Sequence, residues 1–162
     1  MILESREGCT NHVLRGCCMA HSPLPARALE HHAELTQAHE EAARISALLN
    51  KNLFGAFRFD VAEIQKRAIE IGAALQRVAS AERGCGACYG INHTFSKTYD
   101  EMLQHHRLAF LDFERLSHEL EINPSPRSSD IAALAADIER HLNLAEEAHE
   151  RTFGLVSLAN QR

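Results

Sequence analysis

Eleven histidines stand in a chain of 162 residues, and five of them fall at spacings that point imidazoles towards a helical core. His106 interrupts an apolar repeat of Phe95, Tyr99, Met102, Ala109, Phe113, Leu116 and Leu120. A side chain chosen for its solubility is out of place on such a stripe. His32 and His39 border a second repeat, Ala28, Leu35, Ala42 and Leu49. Towards the C-terminus, His141 lies three residues after Ile138, His149 lies four after Ala145, and Glu146 stands between the two histidines. Neutral imidazole ligates iron, zinc, copper or nickel, and an added carboxylate favours iron or zinc. The candidate metal ligands are therefore His32, His39, His106, His141, Glu146 and His149. Each has a plainer reading. His106 also suits a hydrogen-bonded core residue, His32 and His39 the polar edge of their helix, and His141 and His149 a solvated Glu/His face. His12, His21, His93 and His118 read as surface or terminal residues.

Cysteines offer a second chemistry. Cys9, Cys17 and Cys18 lie near the N-terminus, and Cys85 and Cys88 form a single C-x-x-C. An odd number of cysteines, two of them adjacent, fits a reducing compartment better than a disulfide framework. No second C-x-x-C follows at zinc-ribbon spacing. The plain expectation is an interhelix loop with two free thiols.

Imidazoles can converge only if long elements carry them, and the sequence predicts four helices. Pro23 and Pro25 precede the first, Pro124 and Pro126 separate the last two, and no proline falls between Arg27 and Asn123. Helix 1 is expected from about Pro25 to Asn50, followed by an apolar connection of Leu53, Phe54, Phe57 and Phe59 around Gly55. Helix 2 has Asp60 as N-cap, Glu63 three residues later and Phe59 and Ile64 placed as a hydrophobic staple. Its stripe is Val61, Ile64, Ala68, Ile71, Leu75 and Val78, and Gly84 reads as its C-terminal stop. Helix 3 is expected over about Asn92 to Ile122. Helix 4 starts near Ser128 to Asp130 and carries Ile131, Leu134, Ile138, Leu142, Ala145 and Val156. No alternating β-branched run predicts a strand. The fold class is all-α, an antiparallel up-down-up-down four-helix bundle. Residues 1–21 read as a disordered leader and 22–162 as the bundle. At a rise of about 1.5 Å per residue, His39, His106 and His149 share a level in such a bundle to within about 5 Å. Two short echoes, Leu29-Glu-His-His with Leu103-Gln-His-His and Asp60-Val-Ala-Glu-Ile with Asp130-Ile-Ala-Ala-Leu, suggest two related hairpins.

The segment Leu134 to Phe153 resembles the last helix of haemerythrin-like (HHE-type) domains, with His141 and Glu146 in the positions of its ligands. Leu103-Gln-His-His resembles the third-helix pattern, with His106 as ligand, and Leu29-Glu-His-His the first, with His31 or His32. The resemblance implies a four-helix bundle holding iron. In that family the second helix supplies a His-x-x-x-Glu pair, whereas helix 2 here has no histidine. A chemoreceptor-type zinc-binding bundle, which uses three histidines and a cysteine, is also similar in outline. That likeness implies Cys85 or Cys88 as thiolate.

Composition narrows the remaining choices. Apolar residues make up 45%, charged residues 24%, and the net charge is −5. This is the profile of a globular domain without a basic nucleic-acid footprint. No apolar run reaches membrane-spanning length, and no export signal precedes the first helix, so the expected location is cytoplasmic. Phosphate-binding glycine loops and hydrolase or kinase signatures are missing, and an enzymatic reading would rest on the histidines alone. The leading expectation is a bundle that binds iron or zinc and serves sensing, storage or regulation. The alternative is a metal-free helical adaptor acting through a protein partner or a second copy, with Leu53 to Phe59 as its contact.

Overall fold

The computed structural model describes residues 26–55, 61–89 and 93–159. They form four long helices: α1 (Ala26–Gly55), α2 (Val61–Tyr89), α3 (His93–Ile122) and α4 (Ser128–Ala159). No strand occurs among the described residues. The expected leader, residues 1–21, and most of the Leu53 to Phe59 connection lie outside them, as do the side chains of Cys88 and Phe95.

Each helix buries one stripe at alternating spacings of three and four residues, the pattern that keeps one seam facing its neighbours. On α1 that seam runs through Ala28, Leu35, His39, Ala42, Ser46 and Leu49, each at most 1% exposed. On α4 it runs through Ile131, Ala135, Ile138, Leu142, Ala145, His149, Thr152 and Val156. Two hydroxyls on these seams are satisfied within their own helices. Ser46 donates to the Ala42 carbonyl at 3.0 Å, and Thr152 to the Ala148 carbonyl at 2.9 Å. Burying them therefore leaves no donor unpaired.

Helix α1 packs against α2 and α4, and α3 packs against α4, whereas the α2–α3 contact is much thinner. Cross-helix pairs mark the register. Glu41 meets Arg77 at 2.8 Å, and the Cys85 thiol donates to the His31 carbonyl at 3.1 Å. Glu101 meets Arg151 at 2.8 Å, while His105 meets His141 at 3.2 Å. Between α3 and α4 the Asn123-Pro124-Ser125-Pro126 stop acts as expected. The Asn123 side chain accepts the Ser125 N–H at 3.0 Å in an Asx turn, and α4 begins two residues after Pro126.

Two expected boundaries are overturned. Helix α1 continues past Asn50 to Gly55. Helix α2 does not stop at Gly84 but runs on to Tyr89. Cys85 and Cys88 therefore lie on a helix and not in an interhelix loop, and Cys85 is fully buried. The physical reason is packing. A Cβ at Gly84 would lie 2.6 Å from the His31 ring, one at Gly72 would lie 2.6 Å from the Phe113 ring, and one at Gly86 would strike the Tyr99 hydroxyl. The glycines of α2 are notches for rings from α1 and α3. Close approach outweighs the ~1 kcal/mol that an interior glycine costs relative to alanine.

Candidate metal centre

The α2 stripe explains how the site is assembled. Extended at the same spacing beyond Val78, it reaches Glu82 and Cys85, so the helix that lacks histidine delivers a carboxylate and a thiol to the interior. The seams of α1, α3 and α4 deliver His39, His106 and His149.

These groups form one chain. His39 Nδ1 bonds to Glu146 Oε2, and His106 Nδ1 bonds to Glu82 Oε2. The two remaining nitrogens, His39 Nε2 and His106 Nε2, face each other at 2.5 Å. The sequence is carboxylate, imidazole, imidazole, carboxylate, with all four helices contributing. His149 extends the chain, with Nδ1 3.8 Å from Glu146 Oε2 and Nε2 3.1 Å from His32 Nδ1. His32 stacks on Phe153 at 3.7 Å between ring centroids, and its Nε2 lies 3.4 Å from Glu150. Cys85 Sγ sits 4.0 Å from His149 Nε2. Two three-donor sets are compact enough for one ion: His39 with Glu146 and His149, and His32 with His149 and Glu150.

Electrostatics sets the protonation states. Burial is the main cause that lowers the His39 pKa, and the neighbouring imidazoles lower it further against the pull of Glu146. Burial likewise lowers His32, assisted by His149. For Glu146, burial acts upward, but hydrogen bonds from His149 and His39 outweigh it and hold the carboxyl well below its usual range. An ionised carboxylate only accepts, so the His39 Nδ1–H donates to Glu146 and the Nε2 lone pair is left facing inward. Glu82 stands behind His106 in the same way, bonded at Nδ1, so that His106 Nε2 is turned towards His39. Neither Glu82 nor Glu146 has a lysine or arginine partner among the described residues. Tyr99 closes this end of the site, its hydroxyl 3.5 Å from the Glu82 carbonyl and its pKa pushed up to about 12 by burial.

Of the six expected ligands, the structure brings together His39, His106, Glu146 and His149, with His32 alongside. His141 stands apart. Eight residues from His149 on the same helix, or about 12 Å at 1.5 Å per residue, it faces His105 and Asp112. His31 pairs with Glu34 at 3.0 Å and seats its ring over Gly84. The echo between Leu29-Glu-His-His and Leu103-Gln-His-His has a structural counterpart. The second histidine of each pair, His32 or His106, joins the cluster, and the first turns to a neighbouring helix. His118 is exposed, as expected. Sequence reasoning missed Glu82 and the burial of Cys85, although the α2 spacing carried to Tyr89 places both on the seam. The reading of Gly84 as a stop hid Cys85, whereas Glu82 lies within the expected helix, one step past a stripe followed only to Val78.

No described helix is long and apolar enough to cross a membrane. Comparison with known proteins assigns no relative: no family model, no curated protein and no solved structure matches this chain.

Proposed function

We propose that this protein is an up-down-up-down four-helix bundle that binds iron or zinc between His39 and His106, oriented from behind by Glu146 and Glu82 respectively and with His149 beside them, in a sensing, storage or regulatory role. One observation carries the reading: two buried imidazole nitrogens from different helices face each other, and each ring is held from behind by a carboxylate. At this separation the two nitrogens share a proton in the metal-free protein, and an ion that displaces it needs the pair to open to about 3.3 Å. A carboxylate behind a ligating histidine is the usual outer-shell arrangement, because it orients the ring and raises its basicity. The charge count points the same way. Two half-buried carboxylates with no lysine or arginine partner among the described residues are balanced by a divalent cation, whereas one shared proton leaves the interior negative. The opposed order of the α1–α2 and α3–α4 pairings supports the alternating helix directions.

In haemerythrin-like terms, the cluster retains His106 and Glu146, takes Glu82 from the second helix and leaves His141 outside. The reading is therefore of a reduced, histidine-poor relative of that pattern. Most of the apolar connection that an adaptor would use lies outside the described residues, and no observation favours that alternative.

Metal analysis and calorimetric titration of protein purified without a histidine tag test the proposal. Near-stoichiometric iron or zinc is expected, with His106→Leu abolishing binding at the core. Glu82→Gln should weaken binding by about 10–100-fold, the usual effect of losing an outer-shell partner. A His106→Leu protein that retains the full metal content and affinity of the wild type overturns the site.

A further inference from the structure

A second histidine pair lies on the α3–α4 face, outside the core cluster. His105 Nδ1 and His141 Nδ1 face each other at 3.2 Å, with ring centroids 5.5 Å apart. Behind His141 stands Asp112, 7% exposed, with Oδ2 3.8 Å from His141 Nε2. Its other oxygen accepts from Arg115 at 3.1 Å. Arg140 Nη2 lies 3.3 Å from the same His141 nitrogen and 2.9 Å from Asp137.

We propose that His105 and His141 form a second divalent transition-metal site that bridges α3 and α4 through their Nδ1 atoms, with Asp112 as a positioning residue. The spacing matches the requirement. Two imidazole nitrogens bound to zinc at about 2.0–2.1 Å and separated by a tetrahedral angle lie about 3.3 Å apart. The tautomer is available as well. A ring that ligates through Nδ1 carries its proton on Nε2, and the carboxylate nearest to His141 Nε2 is Asp112, whose Oδ2 must close from 3.8 Å to accept it. Without a metal ion, His141 Nε2 accepts from Arg140 at 3.3 Å and its proton lies on Nδ1 towards His105, so a metal ion at Nδ1 must displace that proton and move Nε2 from Arg140 to Asp112. Arg140 is not displaced at great cost, because its side chain is 57% exposed and already pairs with Asp137. The pair differs from the core centre in access. His105 is half-buried at the bundle surface, so water completes the coordination. Two protein ligands and an open face make an exchangeable site, weaker than the core by at least about tenfold. An ion there also ties the two helices together, which stabilises the fold in proportion to its occupancy.

Equilibrium dialysis with Zn²⁺ alone, on tag-free full-length protein, separates this site from the core. The wild type should take up two equivalents of unequal affinity. His141→Ala and His105→Ala should each lose the weaker equivalent and keep the tighter one, and His106→Leu should do the reverse. Asp112→Asn should weaken the weaker site about tenfold or more and leave the tighter one unchanged, an effect that a packing role alone does not produce. His141→Phe, which retains a ring in the same place, guards against misfolding and should also lose the weaker equivalent. Wild-type uptake by all the His105 and His141 variants overturns the proposal, as does loss of both equivalents in His106→Leu. If the core reading fails and this one holds, the wild type binds one equivalent that His141→Ala abolishes and His106→Leu retains.

Discussion

Two stretches of the same seams are built from different materials. One is aliphatic: Ile45, Leu49, Ile64, Ile71, Leu75, Leu116, Ile131, Ile138 and Leu142 are all at most 5% exposed. The other carries His39, Glu82, Cys85, His106, His149 and Thr152 at equivalent positions of the repeat. Burying an aliphatic side chain stabilises by about 1.5–3 kcal/mol and asks nothing of its neighbours. Burying an imidazole or a carboxylate costs free energy unless every polar atom finds a partner. The aliphatic stretch therefore holds the helices together, and the polar stretch is tolerated because His39, His106, Glu82 and Glu146 pair with one another across four helices. The comparison teaches that one periodic pattern can carry both stability and chemistry, provided that the two occupy different lengths of the seam.

The largest expected effect lies on the aliphatic side. Ile71 is fully buried, and truncating such a residue costs about 2–5 kcal/mol. Ile71→Ala should therefore lower unfolding free energy by that amount in a denaturant titration, while Lys66→Ala on the exposed face of α2 should change it by less than about 0.5 kcal/mol. Equal effects from the two would show that the inward face has been misassigned.

Acidification should discriminate between the stretches next. Burial lowers the pKa values of His32, His39 and His141 in the folded state. Below about pH 6.5, the ordinary histidine value, the unfolded chain therefore binds more protons than the native one, and stability is lost as pH falls. Glu146, held below its usual range, adds a further loss below about pH 4.5. Metal-free protein should melt at a progressively lower temperature from pH 7.5 to pH 5.5. A flat or rising profile would mean that these imidazoles are not buried in their neutral form.

The smallest effects should come from two glycines. Gly154 on α4 has open space where a Cβ would go, and Gly84 has the His31 ring there. Gly154→Ala should stabilise by about 0.5–1 kcal/mol through helix propensity. Gly84→Ala should forfeit that gain and destabilise, because His31 must move. Thermal melts of both variants would resolve the difference, and a stabilising Gly84→Ala would show that the notch beside the polar stretch is unimportant.

The four helices, their inward faces and the Asn123–Pro126 break were legible in the sequence. Each depends on local rules: apolar spacing, proline geometry and the lack of a competing strand pattern. Placing His106 on a seam required only that α3 continue unbroken from Tyr99 to Leu120. The tertiary structure decided which polar groups meet. A step of one residue along a helix is a rotation of about 100° and a rise of about 1.5 Å. His141 and Leu142 therefore point in different directions, and His141 joins His105 and Asp112 while His149 joins the core. The same consideration governs α2. A glycine in a sequence is both a stop signal and a notch, and only the ring that approaches it distinguishes the two. With His31 over Gly84 and Tyr99 over Gly86, α2 stays helical to Tyr89, and that added length carries Cys85 to the histidines.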